Sequence, residues 1–197
     1  VRNIDGYNEL MTKEGGKISA IGYGAQKSVK RALKNIDYFR KLDITCSNFK
    51  ETRIPVIREV TVLRDKPTKE FNFSKYYLFS FFLDLIDKII PLNFSVPNIF
   101  ILIDYLFSES MNIKELNLLT IFLSKILKVT GHQPILEGCC RCGKVEKTIL
   151  FSFSDGNLTC LKCKDEHHPN YKELSYEAYI ALKVFFNTPL NKLCNCN

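Results

Sequence analysis

No apolar run in this chain approaches the length of a membrane span. The richest stretch, Tyr76 to Leu83, contains Ser80 and is followed by Asp84 and Asp87, whereas a spanning helix needs about 20 predominantly apolar residues. Nothing resembles a secretory signal. The expectation is a soluble, cytoplasmic protein with no membrane partner. A His-x-Glu motif is absent too, which counts against a zinc hydrolase or deaminase, because such an enzyme keeps an open coordination position and a general base beside it. Acidic residues are missing from Gly15 to Ile36, a stretch that holds Lys17, Lys27, Lys30, Arg31 and Lys34. With no local neutralisation, phosphate is the obvious ligand class for these cations, since lysines on a loop beside strands can track a backbone without reading sequence. The plain alternative is a solvated basic loop.

At 197 residues, 46% hydrophobic and 25% charged, the chain has the balance of an ordinary globular protein and not of a disordered one. The length allows one large domain or two small ones. The formal charge of +7 is uneven: residues 1–73 hold fifteen Lys/Arg against nine Asp/Glu, while residues 74–197 hold thirteen against twelve. That asymmetry points to a polyanion partner for the first part, although solubility alone would explain a modest surplus.

Cysteine is concentrated between Cys139 and Cys163. Cys139-Cys140-Arg141-Cys142 and Cys160-Leu161-Lys162-Cys163 are two Cys-x-x-Cys knuckles seventeen residues apart, a spacing that reads as a structural zinc site with two thiolates from each knuckle. Cys139 and Cys140 are adjacent, and only Cys139 stands in register with Cys142, so the ligand set is Cys139, Cys142, Cys160 and Cys163. Four thiolates complete a tetrahedral shell and leave no place for water, so the ion would hold structure and not perform chemistry. Ser154-Asp155-Gly156-Asn157 between Ile149-Leu150-Phe151 and Leu158-Thr159 reads as a hairpin returning the second knuckle to the first. A disulfide framework and a thioredoxin-like redox pair are the competing readings of the cysteines. His167 and His168 follow the second knuckle and read as surface residues.

Residues 1–70 read as short strands and turns, suited to a barrel. Glu14-Gly15-Gly16 marks a tight turn before the strand-like Lys17 to Gly24; Leu42, Ile44 and Cys46 alternate on one face; and Val56 to Leu63 follows Pro55, which belongs at a strand start. Tyr23, Tyr38 and Phe39 read equally as stacking faces for bases and as core aromatics. Around Lys66-Pro67-Thr68-Lys69 the pattern turns helical, which places a domain boundary there and assigns 71–197 to a second domain. Ser74 is expected to cap a helix ending before Pro91, and a second helix follows Pro97. A third runs from Lys114 to Val129 with Leu116, Leu119, Leu123 and Ile126 as its stripe, and a fourth follows Ser175 as far as Thr188-Pro189. The helices are expected to form a packed core with no cofactor pocket.

The stretch Leu10-Met11-Thr12-Lys13-Glu14-Gly15-Gly16-Lys17-Ile18-Ser19-Ala20-Ile21-Gly22-Tyr23-Gly24-Ala25 resembles the N-terminal signature of the bacterial recombination mediator family RecO. Gly131-His132-Gln133-Pro134, Cys139-x-x-Cys142, Phe151-Ser152, Gly156 and Cys160-x-x-Cys163 resemble that family's zinc-bearing segment. The resemblance spans most of the chain and keeps the order of its parts. It implies an α+β protein: an N-terminal OB-fold β-barrel over 1–70, then a helical domain over 71–197 with a four-cysteine zinc element at 139–163. It implies no catalysis. The implied role is DNA repair, nucleoid-associated in a bacterial cytoplasm. The protein would bind single- and double-stranded DNA, anneal complementary strands and, with RecR, help RecA load on DNA coated with single-strand-binding protein. The C-terminal tail of single-strand-binding protein would dock on the helical domain. The DNA-contact assignment carries over to Lys17, Lys27, Lys30, Arg31 and Lys34, and the zinc assignment to the same four cysteines. The sequence departs from the family at its first strand and acidic segment, compressed here into Asn3 to Glu9. The competing reading is a zinc-stabilised adaptor that binds proteins and not DNA.

Overall fold

Short β-branched runs broken by turn residues favour strands over helices. The computed structural model describes residues 2–4, 7–14, 16–22, 36–47, 54–65, 72–109, 113–146, 148–165 and 170–193. In the first part it shows β1 (Arg2–Ile4), β2 (Tyr7–Thr12), β3 (Gly16–Ile21), β4 (Lys41–Ser47) and β5 (Val56–Arg64). They form one sheet in the order β1-β2-β3-β5-β4. Three ladders are antiparallel; β3 and β5 meet in parallel at Ile21 and Val56. Among the described residues no ladder joins β1 to β4, so the sheet is open where a closed barrel would have its seam. Leu10, Ala20, Ile57 and Val60 fill the sheet's core, with Ile18, Leu42, Ile44 and Cys46 packed against them. The alternating face expected of β4 is therefore the half-buried one that packs on this core.

The chain gathers into two compact units, 1–115 and 116–197. In the first, α1 (Phe73–Ile89) and α2 (Pro97–Glu109) accompany the sheet. The cap of α1 is Asn72 and not Ser74: its side-chain oxygen accepts from the Lys75 N–H at 2.8 Å, and the helix starts at Phe73, two residues earlier than a Ser74 cap would allow. Asparagine is as good a cap as serine, and Asn72 lies first along the chain. Phe79, Phe82 and Ile86 are the buried apolar residues of α1, whereas Phe73, Tyr77 and Phe81 on the same helix are exposed. Phe39 inserts among these helices, edge-on to Tyr76, Phe79 and Phe107 at centroid distances of 5.3, 6.5 and 5.6 Å. The turn before β3 closes on Gly16, at φ 69°, where a Cβ would fall 1.8 Å from the Phe94 carbonyl oxygen; only glycine fits there.

The second unit takes α3 (Glu115–Val129) past its first residue, a three-stranded antiparallel sheet ordered β7-β6-β8, and α4 (Tyr176–Asn187) with the short α5 (Leu190–Leu193). Its strands are β6 (Ile149–Ser152), β7 (Asn157–Cys160) and β8 (Tyr171–Leu174). The helix α3 buries Leu118, Ile121, Phe122 and Ile126 and leaves Leu116 72% exposed. Of the expected stripe Ile126 is buried, Leu119 and Leu123 are half-buried and Leu116 alone is exposed: the helix carries leucine or isoleucine at so many positions that neighbouring faces satisfy the three- and four-residue spacing, and the face that buries Phe122 lies deepest. Leu136, Ile149, Leu158, Tyr179 and Phe186 form this unit's core, and the Tyr179 hydroxyl donates to the Leu136 carbonyl at 3.0 Å. Ser175 caps α4 by accepting from the Ala178 N–H at 3.2 Å. No helix among the described residues is long and apolar enough to cross a membrane.

Candidate functional site

The first knuckle is a tight reversal after α3. The Cys139 N–H donates to the Lys144 carbonyl at 3.0 Å, and the Gly143 N–H returns to the Cys139 carbonyl at 2.7 Å. Gly138 lies at φ 145°, and a Cβ there would fall 2.5 Å from the Gly143 carbonyl oxygen, so the crossing needs glycine. The second knuckle is delivered by the hairpin. Residues Ile149 to Ser152 pair with Cys160 to Asn157, and the turn between them is held by Ser152, whose hydroxyl donates to Asp155 Oδ2 at 2.8 Å. A 3₁₀ turn at Leu161–Cys163 then brings Cys163 round. The knuckles are tied by the Cys140 N–H, which donates to the Leu158 carbonyl of β7 at 2.8 Å.

The structure brings together Cys139, Cys142, Cys160 and Cys163, whose sulfur atoms all lie within 4.8 Å of one another. Cys142 and Cys160 are 3.8 Å apart, sulfur to sulfur. Zinc–thiolate bonds of about 2.3 Å in a tetrahedron place sulfurs about 3.8 Å apart, so the cluster has the size the ion demands. All four cysteines are free thiols. Cys140 stays out of the cluster, with its sulfur 3.6 Å from the Thr159 hydroxyl.

Electrostatics suit cation capture. Burial pushes the Cys139 thiol up, but the N–H groups of Cys160, Cys142 and Arg141 together outweigh it and bring the thiol down to about 6. Cys163 is pushed up to about 12, first by hydrogen bonding to the Cys160 sulfur and then to that of Cys142. One sulfur is poised as thiolate while a neighbour holds its proton, as expected of crowded thiols that share negative charge until a metal relieves it. Arg141 and Asp165 pair across the knuckles at 3.5 Å. His167 and His168 lie outside the described residues.

The cationic residues of the other unit are placed differently from one another. Lys17 is on β3 with its side chain 12% exposed, and its ammonium donates to the Asp87 carboxylate at 3.1 Å and the Asp87 carbonyl at 2.7 Å. Lys27, Lys30, Arg31 and Lys34 lie outside the described residues. Further cations of the sheet meet acids: Arg40 pairs with Asp65 at 2.7 Å, and Lys41 and Arg64 converge on Asp104 of α2 at 2.7 and 2.9 Å. Sequence reasoning missed these partners because Asp87 and Asp104 follow their cations by more than sixty residues on Lys17 and Lys41, and nothing local signals such pairs. Of the aromatics singled out, Phe39 is core and Tyr38 is 46% exposed; Tyr23 lies outside the described residues.

A family model described as "Recombination protein O C terminal" matches residues 70–197. Several relatives carry the name DNA repair protein RecO. That of Thermoanaerobacter sp. (strain X514) is 25% identical over 188 residues, covering 94% of this chain and 75% of the relative. That of Caldanaerobacter subterraneus subsp. tengcongensis is 24% identical over 177 residues, covering 87% and 71%. That of Listeria monocytogenes serotype 4b is 23% identical over 197 residues, covering 98% and 75%.

Proposed function

The chain belongs to the recombination protein O (RecO) family, and on that premise we propose that it is a DNA-binding recombination mediator in DNA repair and not an enzyme. The observation that carries the proposal is the family match over residues 70–197. In this reading the N-terminal sheet is an OB-fold barrel, a five-stranded and partly open architecture used by many nucleic-acid binders; the five strands and the parallel meeting of β3 and β5 support it. We keep the domain boundary near residue 70, where the family match begins, although α1 and α2, which lie beyond it, gather with the sheet in the compact unit 1–115. Lys27, Lys30, Arg31 and Lys34 contact phosphates of single- and double-stranded DNA. Lys17 carries the same assignment, with its ammonium engaged by Asp87. The four cysteines hold a structural zinc ion that fastens the two knuckles and supplies no reactive position. RecR, the tail of single-strand-binding protein and, indirectly, RecA are the protein partners, and the place of action is the bacterial cytoplasm at the nucleoid.

Annealing follows from charge. Two strands held on one cationic surface repel each other less, and the grip weakens as salt rises. The experiment is binding of a fluorescent single-stranded oligonucleotide at two salt concentrations, with annealing of its complement followed in parallel. Salt-sensitive binding with accelerated annealing is expected; a folded, zinc-loaded protein that binds neither strand form at low salt would defeat the reading. The pairing of Lys17, Arg40, Lys41 and Arg64 with carboxylates favours the rival, an adaptor in which these cations serve the fold, and that same null result would select it.

A further inference from the structure

The four cysteines of the cluster differ in their access to water. Cys139 and Cys160 are buried, at 4% and 2% exposure, Cys163 is half-buried, and Cys142 is exposed. A small oxidant arriving from solvent therefore meets Cys142 first, and thiol oxidation follows exposure. Cys142 also has room to move. Gly143, the next residue, lies at φ 72° with nothing within 4 Å of where a Cβ would stand, so the turn that carries Cys142 is open on that side.

The partner for an oxidised Cys142 is across the knuckles. Its sulfur is 3.8 Å from that of Cys160, and two sulfurs at that distance need to close by about 1.8 Å to bond. Cys160 is fixed at the end of β7, opposite Ile149 of β6, so the exposed turn moves and the strand receives it. The rival inside the first knuckle is Cys139. Its main chain is bonded in both directions, to the Lys144 carbonyl and from the Gly143 N–H, and its sulfur accepts from the N–H groups of Cys160, Cys142 and Arg141. Drawing Cys139 onto Cys142 would pull it off those donors. Cys140, also exposed, sets its sulfur 3.6 Å from the Thr159 hydroxyl and outside the cluster.

The knuckles are also held opposite each other without a metal. The Cys140 N–H donates to the Leu158 carbonyl at 2.8 Å, and the Ile135 N–H to the Gly156 carbonyl at 3.3 Å. Sulfurs that face each other on a backbone so tied stay within reach when the ion is lost.

From these observations we infer that Cys142 is an oxidation site for peroxides, and that the product is a Cys142–Cys160 disulfide that clasps the knuckles in place of zinc. The inference rests on the zinc reading of the cluster. The Cys142 thiolate attacks one oxygen of the peroxide, the O–O bond breaks, and hydroxide leaves a sulfenic acid behind. The Cys160 thiolate then attacks that sulfur, the S–S bond forms, the S–O bond breaks, and a second hydroxide departs. Two protons turn the hydroxides into water; the sulfurs lose two electrons and the peroxide gains them. Cys139 and Cys163 are left as two ligands where a structural site uses four, so the metal is released.

The test treats zinc-loaded protein with hydrogen peroxide, follows released zinc with a chromogenic chelator, blocks remaining thiols with an alkylating agent and maps disulfides by mass spectrometry of the unreduced digest. About one zinc should be released per Cys142–Cys160 disulfide, and a dithiol reductant followed by zinc should restore the starting protein. Cys140→Ser should behave as wild type. The oxidised protein should melt about 5 °C or more above reduced protein stripped of zinc by a chelator, because the new bond closes the loop between the knuckles. A disulfide between Cys139 and Cys142, or one joining a cluster cysteine to Cys140, Cys194 or Cys196, would overturn the inference. So would zinc loss with sulfinic acid and no disulfide, zinc retained at peroxide levels that oxidise free cysteine, or an oxidised form that melts with the stripped one. A folded protein that takes up no zinc before peroxide is added would defeat the zinc reading and this inference with it.

Discussion

Cys139 and Cys140 are neighbours of the same chemistry, and backbone hydrogen bonding separates their fates. The Cys140 N–H is committed to Leu158 and its sulfur to the side of Thr159, while Cys139 is 4% exposed with its sulfur in the cluster. Cys160→Ser should therefore abolish stoichiometric zinc and lower stability by roughly 4 kcal/mol, whereas Cys140→Ser should keep the metal; metal content measured by atomic emission and by chelator competition distinguishes the two. Gly138→Ala should cost about 2 kcal/mol and weaken zinc retention, because its Cβ would meet the Gly143 carbonyl oxygen at 2.5 Å in a backbone conformation hostile to side chains. Chemical denaturation with and without zinc measures both effects. The convergence of the four cysteines was legible in the sequence because their spacing is local to each knuckle. Gly138 was not, since its requirement arises from a carbonyl five residues along that turns back onto it.

At the scale of the element, α4 ends against two lysines of α3. Lys125 donates to the carbonyls of Phe185 at 2.7 Å and Thr188 at 2.7 Å, and Lys128 to that of Phe186 at 3.2 Å. Helix C-termini carry unsatisfied carbonyls and partial negative charge. Lys125→Met should then destabilise the protein by about 1–3 kcal/mol, read as a lowered denaturation midpoint with unchanged zinc content. The four-cysteine cluster makes its own prediction in protons. At pH 7 Cys139, at about 6, is already mostly thiolate, whereas Cys163, at about 12, is protonated, and Cys142 is raised above its ordinary value. Zinc binding should release at least the protons of Cys142 and Cys163, so its calorimetric heat should depend on buffer, and affinity should fall as pH is lowered, since protons compete for the same sulfurs. Helix positions were readable from proline, glycine and capping residues. Which face α3 buries was not, because an oversupply of apolar positions leaves the choice to tertiary packing.

For the whole molecule, the sequence showed a mixed α+β chain with a strand-rich first part, and the structure has five strands before α1 and three more, β6, β7 and β8, between α3 and α4. Which helices accompany the sheet was invisible, because the ion pairs and ring contacts that decide it link residues far apart in sequence, as Lys41 does to Asp104 and Phe39 to Phe107. If the basic stretch grips DNA, replacing Lys27, Lys30 and Arg31 together by alanine should weaken binding to every sequence. The plot of log affinity against log salt should become shallower by about 2 to 3, which fluorescence anisotropy titrations at several salt concentrations would measure. Chelation should loosen residues 116–197 first, seen as faster amide hydrogen exchange across β6 and β7 than across β4 and β5.

The parallel meeting of β3 with β5 also sets an order of events in time. The hairpins β2–β3 and β4–β5 join residues close in sequence and form on the microsecond scale typical of hairpins. Their junction, at Ile21 with Val56 and through the Ile21 N–H to the Pro55 carbonyl at 2.8 Å, must first close everything between them. That closure costs chain entropy before it yields contacts. The two halves of the sheet should therefore fold as separate pieces and join late, and the cation-rich stretch lies on the segment whose closure is the slow step.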